Sequence, residues 1–387
     1  TVMASRVGSA GLFSISAPFG FLSLAFWANR MQTLYYLLYL PSMLAEPVTI
    51  GLILLAAGCS HLNILMIARC FAWKETPGGY LGIVRTLGTA VSFLFLLAGL
   101  FAVLMKGIVL MMGYVDIVHH ILFPALHATL FGILLLCACV YLARLGMEKT
   151  IRFAIVAFVG TIWVTFLYVP FAFSPAAEYR HLLPLLPEHM PQGIWQAFLT
   201  VWAAFSGPEY MLALPKEAVD AKKLKTALIA ANAFTAFEYI FFFVICLTFY
   251  GSDYLQRQDL PIVDLIRYIQ LPFAERLEMI LIPAYAISVV YVVAILLLYA
   301  AGAIQCLARS RLSEGRAPFW LAFLMMLLLT WMAGRWIWPD EWKAKEWITW
   351  LSWLDASTYT VLPFGFFLLG WITIRRKWRV RHAGGSS

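Results

Sequence analysis

Charge is scarce in this sequence. Only 12% of its 387 residues are Asp, Glu, Lys or Arg, while 63% are hydrophobic. An ordinary soluble domain carries about 25% charged residues, so a water-soluble fold of this length is excluded. Cysteine is sparse too. The six cysteines, at 59, 70, 137, 139, 246 and 306, fall in or at the edge of apolar runs. No pair lies outside those runs to be oxidised, and they read as buried free thiols. Cys137 and Cys139 are too closely spaced for a structural zinc site and lack histidine partners. His119 and His120 read as a solvated pair following an apolar run. Phosphate loops, nucleophile elbows and HExxH motifs are all missing. No enzyme, metal or cofactor reading has residues to rest on.

What the chain has in abundance is long apolar runs. Ten stretches could each cross a hydrocarbon core about 30 Å thick: 20–41, 46–70, 89–113, 122–144, 150–173, 193–215, 223–250, 278–306, 317–338 and 358–375. The fold class expected is an all-α membrane protein with ten transmembrane helices. Residues 1–19 read as a tail, 20–376 as one membrane domain and 377–387 as a basic tail. Of the 28 Lys and Arg residues, nineteen fall on one side of this topology, seven on the other and two within spans. The positive-inside rule then places both termini in the cytoplasm. The net charge of +8 follows from topology, and basic residues so dispersed do not form a nucleic-acid surface.

Two of the outer connections carry patterns of their own. Ile262, Leu265, Ile266 and Ile269 repeat at helical spacing opposite Asp264 and Arg267, which predicts a short amphipathic helix at the interface. Trp336, Trp338, Trp342, Trp347, Trp350 and Trp353 crowd one loop. They read as an aromatic belt at the membrane surface, the sharper alternative being a π-rich ligand vestibule.

Four ionisable residues remain inside the predicted spans: Arg30, Lys106, Glu209 and Glu238. Each costs at least ~2.5–3.5 kcal/mol at the bilayer centre. Such residues face the bundle interior and mark a ligand or ion path, or else form buried pairs that fix helix register. Glu209 directly follows Gly207 and Pro208 in the stretch AAFSGPEYMLALP. Proline removes a backbone donor and glycine frees φ, so the sixth span is expected to unwind there. Unwound backbone at membrane depth is tolerated only where protein or a polar cavity satisfies it, and broken helices of this kind hold solutes in many secondary transporters. A simple proline kink is the alternative. The candidate ligand site is therefore Ser206, Gly207, Pro208 and Glu209, with Arg30, Thr33 and Lys106. Glu209 is expected to be neutralised in part by Arg30 or Lys106.

A possible internal repeat supports the same plan. The first span ends YLLYLP at 36–41 and the sixth ends YMLALP at 210–215, dividing ten helices into five plus five. Inverted five-helix repeats are a recurrent transporter architecture.

The stretch FSGPEYMLALPKEAVDAKKLKTA resembles the F-x-G-x-E-x-x-L-x-x-P signature and following lysine-rich loop of the spore germination permeases. Gly207 and Glu209 match the signature's glycine and glutamate. The first span, FWANRMQTLYYLLYLP, is similar to that family's opening helix, with Thr33 as its small residue. The resemblance implies the amino acid–polyamine–organocation fold, a five-plus-five inverted repeat with helices one and six broken. It also implies a small nutrient ligand such as an amino acid, bound between helices one, three, six and eight. Germinant receptor A-type and C-type (lipoprotein) subunits would be partners, in the spore inner membrane. Two functions follow as expectations: a nutrient-sensing receptor subunit, or an autonomous proton-coupled amino acid or amine transporter.

Overall fold

The computed structural model describes residues 12–13, 15–38, 45–73, 79–80, 82, 89–125, 127–185, 189, 191–268, 276–308 and 316–383. The described residues form helices and turns with no strand. The principal helices are α1 (Phe21–Leu38), α2 (Thr49–Ala72), α3 (Thr89–Ile121), α4 (Ala128–Ala143), α5 (Met147–Ala172), α6 (Ile194–Ala204), α7 (Ala221–Tyr250), α8 (Glu278–Leu307), α9 (Ala317–Ile337) and α10 (Glu341–Ala383). Six of them, α2, α3, α5, α7, α8 and α9, are long and apolar enough to cross a membrane. The chain is a multi-pass membrane protein.

Helix α8 occupies the middle of the bundle. Every residue from Tyr291 to Ile304 is buried, as expected of a helix that is apolar all round. It packs along α3, and α4, α5 and α9 close around it. A second group joins α1, α7 and α2, while α6 lies between α2 and α10. Apolar side chains such as Leu54, Leu94, Phe101 and Leu324 point outward. In water these would be a liability; against acyl chains they are the natural exterior.

Several boundaries differ from the sequence expectation. Helix α3 runs on to Ile121, so His119 and His120 form its last turn, with His120 Nδ1 3.2 Å from Asp116 Oδ1. The short helix Pro261–Ile266 exists, but its apolar residues Ile262, Leu265 and Ile266 are buried, and Tyr168 donates to the Ile262 carbonyl at 2.9 Å. It docks on the bundle instead of lying in lipid. Ile269 falls outside the described residues.

The largest correction concerns the tryptophan-rich segment. It is not a loop: α10 is one 43-residue helix beginning at Glu341. Trp336, Trp342, Trp350 and Trp353 are exposed, which suits a belt. Helix α1 is also unbroken from Phe21 to Leu38, against the expected break in helix one. Of the first copy of the presumed repeat, at 36–41, residues 39–41 lie outside the described residues.

Candidate functional site

The sixth span breaks where its composition requires. Helix α6 ends at Ala204, Gly207 adopts φ +145°, and a tight 3₁₀ turn follows over Pro208–Ala213. A φ in that region favours glycine. Close packing adds a second reason, because a Cβ at 207 would lie 2.9 Å from Met31 Cβ on α1. The glycine therefore meets a neighbouring helix, and a larger residue there would strike packed protein rather than fill a cavity.

Three of the backbone groups freed by the break have identifiable partners. Tyr239 donates to the Ala204 carbonyl at 2.7 Å, and Gln32 Nε2 to the Phe205 carbonyl at 2.8 Å. The Gly207 N–H donates to Glu209 Oε2 at 2.6 Å. Lys106 Nζ on α3 donates to Ser206 Oγ at 2.7 Å. The unwound turn is thus held by side chains from α1, α3 and α7, which is how backbone at membrane depth escapes the cost of unsatisfied polar groups.

The buried charges pair otherwise than expected. Arg30 does not meet Glu209. Its Nη2 lies 3.2 Å from Glu238 Oε1, both groups being buried. Asn29 bridges the pair, accepting from Arg30 Nη2 at 2.7 Å and donating to Glu238 Oε2 at 2.8 Å. Arg30 Nη1 donates to Thr161 at 2.8 Å, and its guanidinium lies 5.1 Å from the Phe158 ring. Asn29 also donates to Thr235, which donates to Gln32. This is a closed network joining α1, α5 and α7, and through Gln32 it reaches the break. Arg30 is thus a buried, paired charge, and the Thr33 side chain lies outside the described ones.

Lys106 pairs with Asp355 on α10, Nζ to Oδ2 at 3.1 Å, with both side chains fully buried. Asp355 is the buried charge that the sequence pattern did not reveal. It sat in the stretch read as an outer loop, and only the earlier start of α10 carries it into the bundle. Its signal was the helical run of apolar residues around it, Ile348, Leu351 and Leu354, spaced three apart.

Glu209 is left distinct. It is 1% exposed, and although Oε2 caps Gly207, Oε1 has no hydrogen-bond partner among the described residues. Lys106 and Asp355 act on it electrostatically. Tyr210 and Tyr299 stack at 5.5 Å between ring centroids, and neither hydroxyl has a hydrogen-bond partner among the described residues. Lys106 lies 5.6 Å from the Tyr210 ring. Native proteins rarely bury several unsatisfied polar atoms together. A half-satisfied carboxylate beside two such hydroxyls can hydrogen-bond a polar solute. No cluster of metal-ligating side chains occurs among the described residues.

A model of a protein family described as spore germination protein matches residues 37–333. The chain belongs to the spore germination protein family. It is 24% identical over 204 residues to spore germination protein GerQB of Bacillus cereus. That match takes in 52% of this chain and spans about half, 54%, of the relative's length. Among solved structures, a Na⁺-coupled sialic acid symporter in a substrate-bound outward-open state superposes with a TM-score of 0.67 at 14% identity. The match covers 95% of this chain and 82% of the symporter. A manganese transporter variant from Eremococcus coleocola gives 0.54 at 12% identity, with the same coverages. The family member therefore has a transporter fold.

Proposed function

We propose that this protein is the integral-membrane subunit of a spore nutrient germinant receptor, binding a small polar nutrient, such as an amino acid, at the break after α6. The observation that carries this reading is Glu209, a buried carboxylate with one oxygen free, held beside an unwound turn in a member of this family. Within that reading, the ten helices form two inverted repeats of five. Both termini face the cytoplasm, the membrane is the spore inner membrane, and A-type and lipoprotein C-type subunits complete the receptor. Glu209 Oε1 accepts from the nutrient's amine, while Tyr210 and Tyr299 offer hydroxyls to its polar body. Lys106 and Asp355 form a neutral clamp that fixes Ser206 and the turn.

Nutrient-triggered germination of spores carrying Glu209→Gln tests this. At equal protein level, loss of response is expected; an unchanged response would refute it. The alternative is an autonomous proton-coupled amino acid or amine transporter, favoured by the fold neighbours being solute transporters. Uptake of a labelled amino acid by the purified chain in liposomes would favour that alternative.

A further inference from the structure

A second polar recess lies apart from the break. It is an open cleft of about 380 Å³ lined by Glu46 and Thr49 at the start of α2, Gln192, Gln196 and Thr200 around α6, Gln256 after α7, and Thr349 and Ser352 on α10. None of the expected tryptophans lines this cleft. Its walls have a definite chemistry. Three hydroxyls spend their protons on their own helices: Thr200 donates to the Gln196 carbonyl at 3.1 Å, Thr349 to Lys345 at 2.9 Å and Ser352 to Ile348 at 3.1 Å. What these hydroxyls present to the cleft is acceptor lone pairs. Glu46, half-buried, is the one ionisable residue of the lining. The first N–H groups of α2 are already occupied, Thr49 bonding Glu46 and Ile50 bonding Pro47. The glutamine amides of the lining can accept or donate, and the single charge among these walls is the Glu46 carboxylate, which suits a cation.

We infer that this cleft is an outer binding site for small protonated amines, distinct from the site at Glu209. Its position gives it a purpose. Ser352 lines the cleft, and Asp355 stands three residues further along the same face of α10, roughly one helical turn or ~5 Å deeper. Thr200 and Ser352, both buried, form the floor. Further along the same seam, Trp202 of α6 shares its N–H between the Ala356 carbonyl at 3.2 Å and Thr360 at 3.0 Å, and its ring lies 4.8 Å from that of Tyr359. The α6–α10 seam thus separates an outer amine site from the inner one. Only this staging purpose rests on the reading of Glu209; the cleft's own chemistry does not.

The test uses full-length protein in detergent carrying Gln196→Cys, an exposed position in the lining. A thiol reagent labels it in the presence of ethanolamine, ethylene glycol or acetate, with the parent chain as background. Ethanolamine is expected to slow labelling, ethylene glycol and acetate are not, and adding Glu46→Gln should weaken protection about tenfold. Adding Glu46→Asp should keep it. Equal protection by ethylene glycol, no protection by ethanolamine, or full protection in the Glu46→Gln background would overturn the inference. Protection should persist with Glu209→Gln, so failure at the inner site and failure at the cleft give different patterns. Loss of cleft protection in the Glu209→Gln background would contradict two distinct sites.

Discussion

Of the buried carboxylates at the heart of the bundle, two have committed cationic partners and one does not. Glu238 is bound to Arg30 and Asn29, and Asp355 to Lys106 through Oδ2, whereas Glu209 makes no ion pair within 4 Å among the described residues. Removing one member of a buried pair leaves an uncompensated charge, at about 3–5 kcal/mol. Lys106→Met alone is therefore expected to lower folded yield, as judged by monodispersity and thermal unfolding in detergent. Lys106→Met combined with Asp355→Asn should recover most of it. A double variant no better than the single one would mean the pair is not the source of the loss. The same reasoning gives Arg30→Gln a stability defect that Glu209→Gln does not repair, since the two side chains belong to different networks.

The element scale explains why a broken helix is stable here. Three carbonyl or amide groups released at α6 are met by Tyr239, Gln32 and Glu209. Tyr239 also donates to the Gln32 carbonyl, so its hydroxyl ties α1, α6 and α7 together. Tyr239→Phe is expected to cost about 1–3 kcal/mol through carbonyls left unpaired in a dry interior. Gly207→Ala should cost a similar ~1–3 kcal/mol from its backbone region alone, and the contact with Met31 adds to it. Thermal unfolding of both variants checks this; a Gly207→Ala protein as stable as the parent would show that α1 yields at this point.

Much of this element was legible beforehand. Glycine followed by proline and a carboxylate inside an apolar run has few physical outcomes, and the break sits where those residues are. Arg30, Lys106 and Glu238 were also recognisable as buried charges from their apolar surroundings. Their pairing was not, because ion pairs between residues as far apart in sequence as Arg30 and Glu238, 208 positions, depend on rotation and depth that no local pattern carries. Asp355 was hidden for a different reason. Lys343, Lys345 and Glu346 depress the apolar average just before it, so the start of α10 looked like a loop. The capping and helix-forming signals there were outweighed by charge. Continuity of α1 was likewise unforeseen, since a repeat motif suggests symmetry that one helix need not obey.

At the scale of the whole molecule, the two buried networks divide the labour. The Arg30–Glu238 network holds α1, α5 and α7 together, and the Lys106–Asp355 clamp joins α3 to α10 through the break. Beside them a cleft opens on the α6–α10 seam. If both termini are cytoplasmic, a cysteine placed at Lys223 should be labelled only from inside and one at Asp253 only from outside. Outside labelling at 223 would reverse the topology and with it the direction in which the cleft opens.

The division between structural and ligand-bearing carboxylates is tested most directly by removing each charge in turn without changing shape. Glu209→Gln, Glu238→Gln and Asp355→Asn would be compared in spores for receptor level and nutrient-triggered germination. Glu209→Gln is expected to accumulate normally and fail to respond, while the other two lose protein because each strands a buried cation. A Glu209→Gln protein that accumulates and responds like the parent, or one that is lost like the other two, would contradict the assignment of Glu209 to the ligand.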